Sequence, residues 1–483
     1  MRKSEWSDEN VGGGNRRRWL SGVGLLLVVM LAFLGLRYRW SSPTGKLPVS
    51  SAAANARTIS QGSGIEKVEV LPRFPRRSAP RGVSAAEIVN SKLTQFGQSR
   101  RRLAEILARR HGVVVTDEVK RFFDAVETGR WEEIESAFKQ INGGDTTASH
   151  SDNRPSGVAE LWPAIIDAYG VAEQVHLWPP DKLLEYGNGI LEVLKPGMIY
   201  VGGTDSGRWI PELLNETHDG ERHIIITQNG LAGSDYLEYV RLQYGDQIQI
   251  PTDDATKAMF TDYVADAQRR YVQDQEHPEE PKQVRPGEEI QMVDGKASVS
   301  GSTAVMSINE KILESLLKLN SDRSFALQES FPLKGTYAEA VPLGPLMELR
   351  VSDPDRPFDA RRAAESIDYW RDVAQRIEAD PASPESTETG KSYSHDTAAA
   401  ANLLVAREFY REAEEGYRLA IRLWPGNPEA TGGLAALMER KGQSAEARRL
   451  LEEFVLAHAD ERGSLERVSE TFRKEQIGAK PSP

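Results

Sequence analysis

Seven consecutive residues carry the densest set of ligand-binding groups in the chain: Gly202-Gly203-Thr204-Asp205-Ser206-Gly207-Arg208. Gly202, Gly203 and Gly207 let a backbone approach a ligand closely and allow positive φ. Thr204 and Ser206 supply hydroxyls, Asp205 a carboxylate and Arg208 a planar cation. This set suits a sugar or an anionic ligand, with Asp205 available as acid or base and Arg208 to hold an anion. A structural reading competes with it: Asp205 caps the helix that follows, and Arg208 pairs with Asp205. The run is not a phosphate-binding P-loop, because no Lys-Ser/Thr pair follows its last glycine, nor does it have the dinucleotide fingerprint. Gln228 and Asn229 form a second polar group, although Asn229-Gly230 is also a turn signal by itself. Glu329 is a weaker third contributor, followed by Phe331 and Leu333, which read as buried.

The elements that must position these groups read as strand, loop, helix, strand. Residues 198–201 are a short apolar run, 209–215 have helical spacing, and 223–227 are β-branched. Polar residues at the carboxyl ends of parallel strands lie where α/β sheets bind ligands. A right-handed crossover makes the two strands parallel neighbours, so Thr204, Asp205, Arg208, Gln228 and Asn229 should cluster. Further strands are expected at 324–328 and 346–351, a hairpin with an Asp294-Gly295 turn at 289–300, and helices at 233–244, 252–271 and 306–319. Helices between strands favour parallel pairing. The expected fold is an α/β central domain over 158–352 with a mostly parallel sheet.

All-α units flank it. Ser84 and Glu87 form a capping box opening a helix, Thr116 caps a second, and a third follows Gly129-Arg130, giving a helical hairpin over 85–141. A polar loop follows over 142–155, and 273–286 reads as acidic and exposed. Residues 381–394 read as a linker. Beyond it, 395–427 and 428–462 align with a 34-residue offset that pairs Ala413 with Ala447, Tyr417 with Leu451 and Leu404 with Met438. This spacing resembles tetratricopeptide repeats, in which small residues let two helices touch closely. With a flanking helix at 361–377, the repeat-like helical domain spans 361–475 and is the expected surface for a protein partner.

At the other end, residues 20–36 are uncharged and apolar. Their 17 positions lie at the short end of a spanning helix. Trp19, Tyr38 and Trp40 supply interfacial aromatics. Arg2, Lys3 and Arg16 to Arg18 outnumber the three basic residues after the run, which places the amino terminus inside. The expected order is a cytoplasmic tail at 1–18, an anchor at 19–38 and a stalk at 39–84, with the remaining bulk extracytoplasmic. A cleaved signal peptide ending at Ala54-Asn55-Ala56 is the competing reading, with a cleavage site far beyond the apolar run. The basic excess over 57–110 suits anionic headgroups or simply a solvated helix face.

Composition excludes other classes. The chain has 483 residues, a net charge of −12 and no cysteine. Disulfides, thiolate chemistry and cysteine-ligated metals are excluded, and the acidic balance argues against nucleic acid as a partner. The eight histidines have no metalloprotease spacing, so neither metal nor cofactor is expected. Asn215-Glu216-Thr217 is a formal glycosylation sequon.

Four segments together, MIYVGGTDSGRW, IIITQNGLAGSDYLEYVRLQYG, VSGSTAVMSINEKILESLLKLN and LQESFPLKGTYAEAVPLGPLMEL, carry a resemblance. They resemble the soluble tail of large bacterial multi-pass membrane proteins of the protein O-mannosyltransferase-like class, over about 162–350. The resemblance implies an exported α/β domain that travels with envelope glycan chemistry, and it assigns no catalytic residue. The leading expectation is a membrane-anchored, non-catalytic protein that recruits a partner, accessory to envelope glycan or glycoprotein assembly. The alternative is an enzyme acting on a sugar or phosphate-bearing substrate at Gly202 to Arg208. If Ala413 lies at a helix crossing, Ala413→Leu should overpack it and cost about 1–3 kcal/mol, read as a lowered melting temperature. An unchanged midpoint would refute the paired-helix assignment.

Overall fold

The computed structural model describes residues 82–142, 157–203, 205–217, 222–293, 296–328, 340–349, 358–380 and 387–478. The apolar run at 20–36, the stalk, Thr204, Glu329, Phe331 and Leu333 lie outside these residues. The expectation of an α/β domain with a mostly parallel sheet is overturned. Helix dominates, with fifteen α-helices among the described residues and a small mixed sheet.

Three helices open the described chain: α1 (Ala85–His111), α2 (Asp117–Thr128) and α3 (Trp131–Ile141). The capping box forms as expected, with the Ser84 backbone N–H donating to Glu87 Oε2 at 2.8 Å. Thr116 caps α2, and Gly129 ends it at φ 68°, a conformation that disfavours a Cβ. Next come two helices absent from the sequence reading, α4 (Trp162–Leu177) and α5 (Pro180–Leu191). The first lacks amphipathic periodicity because it is buried nearly all round, whereas α5 buries one face through Leu183, Tyr186, Gly187, Ile190 and Leu191. Gly170 on α4 lies against the Trp209 indole, where a methyl group would overlap the ring.

The βαβ unit follows as β1 (Ile199–Gly202), α6 (Asp205–Glu216) and β2 (Ile224–Thr227). The chain continues through α7 (Ser234–Tyr244), α8 (Asp253–Glu276), a hairpin of β3 (Glu289–Val293) and β4 (Lys296–Ser300), α9 (Ser302–Leu319) and β5 (Phe325–Leu327). A second hairpin, β6 (Ala340–Leu343) and β7 (Leu346–Leu349), completes the strands. The main sheet has the order β2-β1-β5-β7-β6. Pairs β1–β2 and β1–β5 are parallel, whereas β5–β7 and β6–β7 are antiparallel. The sequence reading missed β6. A two-residue Gly344-Pro345 turn, with Gly344 at φ 57°, reverses the chain into β7 and so makes the sheet mixed.

Both edges of this sheet are sealed by side chains. On β2, the Tyr244 hydroxyl accepts from Ile225 N–H and donates to Ile225 O, each at 3.0 Å, and Tyr236 accepts from Thr227 N–H at 2.8 Å. On β6, Arg362 and Arg407 donate to the carbonyls of Pro342 and Ala340. Unpaired strand edges invite pairing with other chains, and these contacts remove the opportunity.

The carboxyl-terminal part is helical: α10 (Ala360–Ala379), α11 (Thr387–Ala406), α12 (Tyr410–Leu423), α13 (Pro428–Arg440), α14 (Ser444–Ala457) and α15 (Arg462–Gly478). Residues 387–394, expected as linker, are the first two turns of α11. The helix boundaries recur at a 34-residue step: 406 to 440, 410 to 444, 423 to 457 and 428 to 462. Ala413 and Ala447 are both fully buried. Small residues line the crossings, with Gly433 against the Tyr417 ring and Gly416 against Ala401 and Ile367. One apolar cluster runs from Val89 through Trp162 and Tyr200 to Trp370 and Leu419, so it joins α1, the sheet and the later helices.

Tyr244→Phe should leave Ile225 N–H without its acceptor. The expected cost is about 1–3 kcal/mol in denaturant unfolding, with faster exchange of the Ile225 amide. An unchanged Ile225 exchange rate would show that the hydroxyl does not seal the edge.

Candidate functional site

Parallel pairing of β1 and β2 places Gly202 opposite Thr227. The carboxyl ends of both strands therefore meet on one side of the sheet, as the sequence spacing requires. Asn229 Nδ2 donates to Gly203 O at 2.6 Å, and Thr227 Oγ1 donates to Gly202 O at 3.3 Å. Gln228 is buried, and its Oε1 has no hydrogen-bond partner. Of the expected cluster, Gln228 and Asn229 thus lie at the strand ends, Asn229 against Gly203, while Thr204 lies outside the described residues.

Residues that sequence reasoning left out fill the space in front of this edge. Gln328, just beyond β5, accepts the Gly203 N–H at 3.1 Å. Its Nε2 donates to Asp396 of α11 and, at 3.2 Å, to the Tyr186 hydroxyl of α5. Tyr186 in turn donates to Asp396 Oδ2 at 2.9 Å. Nearby, Ser206 and Ser392 of α11 share a hydrogen bond at 2.5 Å. The first half of α11 occupies the crevice where a ligand would otherwise sit. A polar residue ending β5 was the available signal for Gln328. Nothing local signals Asp396 and Tyr186, which are 210 positions apart.

The loop glycines serve this packing. Gly202 and Gly207 do not adopt positive φ. A Cβ on Gly202 would lie 2.9 Å from Gly207 O, and one on Gly207 would overlap the Gln328 amide. Close approach is what they supply, and the group approached is the chain itself.

Arg208 turns away from the crevice. It is 6% exposed and pairs with Asp167 of α4, not with Asp205. Arg100 of α1 joins the same network, with Nε 3.2 Å from Asp167, Nη2 3.0 Å from Glu212 and Nη1 3.5 Å from Glu216. Tyr239 donates to Asp167 Oδ2 at 2.7 Å, and Ser99 to Glu216 Oε1 at 2.7 Å. Burial alone would push Asp167 up, but Arg208 and Arg100 hold it below the usual carboxylate range. Burial and the neighbouring Asp167 charge push Glu212 up. Arg222 adds a third guanidinium, its Nη1 3.9 Å from Glu216 Oε1, so three cations face the three carboxyl groups of Asp167, Glu212 and Glu216.

Asp205 meets a different surrounding. Burial, then the carboxylate of Glu173 on α4, raises it well above the usual range, against the pull of Arg208. Glu388 of α11 adds to the same effect. Burial, with Glu388 and Glu135, pushes Glu173 up to about 7. No group of three or more metal-ligating side chains with metal-site geometry occurs among the described residues. The sequon asparagine, Asn215, lies inside α6 and is buried. Its Nδ2 donates to His223 O at 2.9 Å, and its Oδ1 accepts the His223 N–H at 2.8 Å.

No protein-family model matches the chain, and neither a curated protein nor a solved structure does.

Removing one member of a buried charge network strands the others. Arg208→Ala should therefore cost about 3–5 kcal/mol in denaturant unfolding. The double variant Asp167→Asn with Arg208→Gln should recover part of that loss, because it removes both charges. A cost for Arg208→Ala below about 1 kcal/mol, the range of exposed ion pairs, would show that the guanidinium is spare.

Proposed function

We propose that the chain is a non-catalytic, membrane-anchored protein of the cell envelope that recruits a protein partner outside the cytoplasm. Its tetratricopeptide-like helices provide the docking unit, and residues 20–36 provide the anchor. The observation that carries this reading concerns α11. It fills the strand-end crevice, and it is also the first helix of the unit whose boundaries repeat every 34 residues. A site that admits its own helix has no room for a substrate, while a repeated helical unit with small residues at its crossings suits protein recognition. The resemblance of 162–350 to the soluble tails of O-mannosyltransferase-like proteins supports an accessory role near glycan or glycoprotein assembly. Among the described residues no helix is long and apolar enough to cross a membrane, so the anchor rests on 20–36 alone.

One observation favours a second reading, an enzyme acting on a sugar or phosphate-bearing envelope substrate. Burial pushes Asp205 well above the usual carboxylate range and Glu173 up to about 7, the direction an acid–base catalyst needs.

A single set of measurements separates the two. Full-length protein should stay with membranes after carbonate washing. Photo-cross-linkers at exposed Arg448 and Glu452 of α14 should give one discrete protein adduct in native membranes, unchanged by Asp205→Asn. Turnover of a nucleotide sugar or sugar phosphate that Asp205→Asn abolishes would establish the enzyme instead. A mature amino terminus just after Ala54-Asn55-Ala56 would remove the anchor.

A further inference from the structure

The two repeated units differ on the outer face of their second helix. At the 34-residue step, Glu415 and Arg422 of α12 correspond to Arg449 and Leu456 of α14. In the first unit a helix lies along this face. Arg371 of α10 donates to Glu415 at 2.6 Å, and Arg422 donates to Glu378 of α10 at 2.6 Å. Gly416 brings α12 close to Ile367 of the same neighbour. In the second unit no helix of the described residues takes that place. Ala445, Arg449, Glu452 and Leu456 of α14 are all exposed, Leu456 at 84%.

These four positions form one stripe. At 3.6 residues per turn they span about 60° of arc. The stripe is opposite Ala447 and Phe454, the two residues that α14 buries. Glu446 and Glu453 lie about a quarter turn to one side of it, where they stay in water. Arg449 pairs with Glu453 at 2.7 Å, but the two side chains are 80% and 59% exposed. An exposed pair of this kind contributes little, so Arg449 is readily redirected. Among the described residues Glu452 has no ion-pair partner.

The order along the stripe is small, basic, acidic, large, and that order complements its own reverse. An antiparallel copy centred between Leu450 and Leu451 sets Arg449 of each chain opposite Glu452 of the other. It also sets Leu456 of each chain over Ala445 of the other, a large side chain against a small one. A parallel copy would oppose like to like, with arginine against arginine and glutamate against glutamate. Charge and shape therefore select one occupant and one direction.

We infer that α14 is a self-association face, on which two copies of the chain join by antiparallel, two-fold pairing of their α14 helices. The inference rests on the recruitment reading in taking the repeat-like helices as an interaction unit, and it names the chain itself as the occupant of α14. The seam from Ala445 to Leu456 is about 17 Å long. A contact of that length belongs with the small, transient interfaces below about 1,200 Å². Two-fold pairing uses the same patch on both copies, so association stops at two and does not continue into a fibre.

The chain has no cysteine, which makes disulfide trapping specific to introduced thiols. Full-length Ala445→Cys and Leu456→Cys chains are prepared separately, then oxidised alone and mixed. A disulfide needs Cα atoms within about 7 Å. Antiparallel pairing brings position 445 of one chain to position 456 of the other and keeps like positions about 17 Å apart. The mixture should therefore give a covalent dimer of twice 53.6 kDa, and each variant alone should not. Charge supplies a second reading by sedimentation of the full chain. Arg449→Glu and Glu452→Arg should each abolish association, and mixing the two should restore it, because every central contact is then glutamate against arginine. Trapping within either single-variant sample, or none in the mixture, overturns the antiparallel pairing. Charge variants that associate alone as the unaltered chain does also overturn it. Cross-linkers at Arg448 and Glu452 that capture a different protein, with no trapped dimer, overturn self-association and leave recruitment standing. Neither product removes both.

Discussion

A buried set of charges at the crossing of α1, α4, α6 and α7 constrains everything around it. Arg100 and Arg208 are nearly inaccessible, and so are Asp167, Glu212 and Glu216. Charges taken out of water are tolerated only when geometry and hydrogen bonding are nearly complete. Each helix must therefore hold one rotation and one height. Arg208 lies in the first turn of α6, directly after β1, so fixing it fixes the loop that leaves the strand. Arg100 additionally lies over the Phe96 ring at 3.9 Å, which fills the guanidinium face that carries no hydrogen bonds. Through these contacts the opening helices and the sheet become parts of a single packed unit.

The sheet itself is a small platform. Its strands are three or four residues long, and its edges are occupied by tyrosine and arginine side chains. What remains usable in such a sheet is its carboxyl end, and there α11 sits. The arrangement resembles a ligand site in every respect except that the occupant is covalently part of the chain.

Local signals were legible in the sequence wherever local physics decided the outcome. Ser84 with Glu87 and Thr116 cap the helices they were expected to cap. The β1–α6–β2 order and its parallel register followed from a short apolar run, a glycine-rich turn and a β-branched run. Elsewhere, distant partners decided. The opening of α11, Thr387-Glu388-Thr389-Gly390-Lys391-Ser392, is too polar to read as a buried helix, and Ser392 finds its hydrogen-bond partner in Ser206, 186 positions away. Arg208 looked like a loop cation because Asp167 lies 41 positions away. The mixed sheet was hidden by β6, four residues interrupted by Pro342 on an edge where a missing N–H does no harm.

Asn215 shows how a fold can silence a chemical address. Its amide is consumed by both backbone groups of His223, which ties the end of α6 to the start of β2. A glycan attached to that nitrogen in the nascent chain would have to replace one of these bonds with a bulky hydrophilic substituent in a space that is 5% accessible. Modification and native structure thus exclude each other at this residue. Timing decides between them: a chain that closes α6 onto β2 before a transferase arrives is no longer a substrate, and one that does not close in time is committed to remain open.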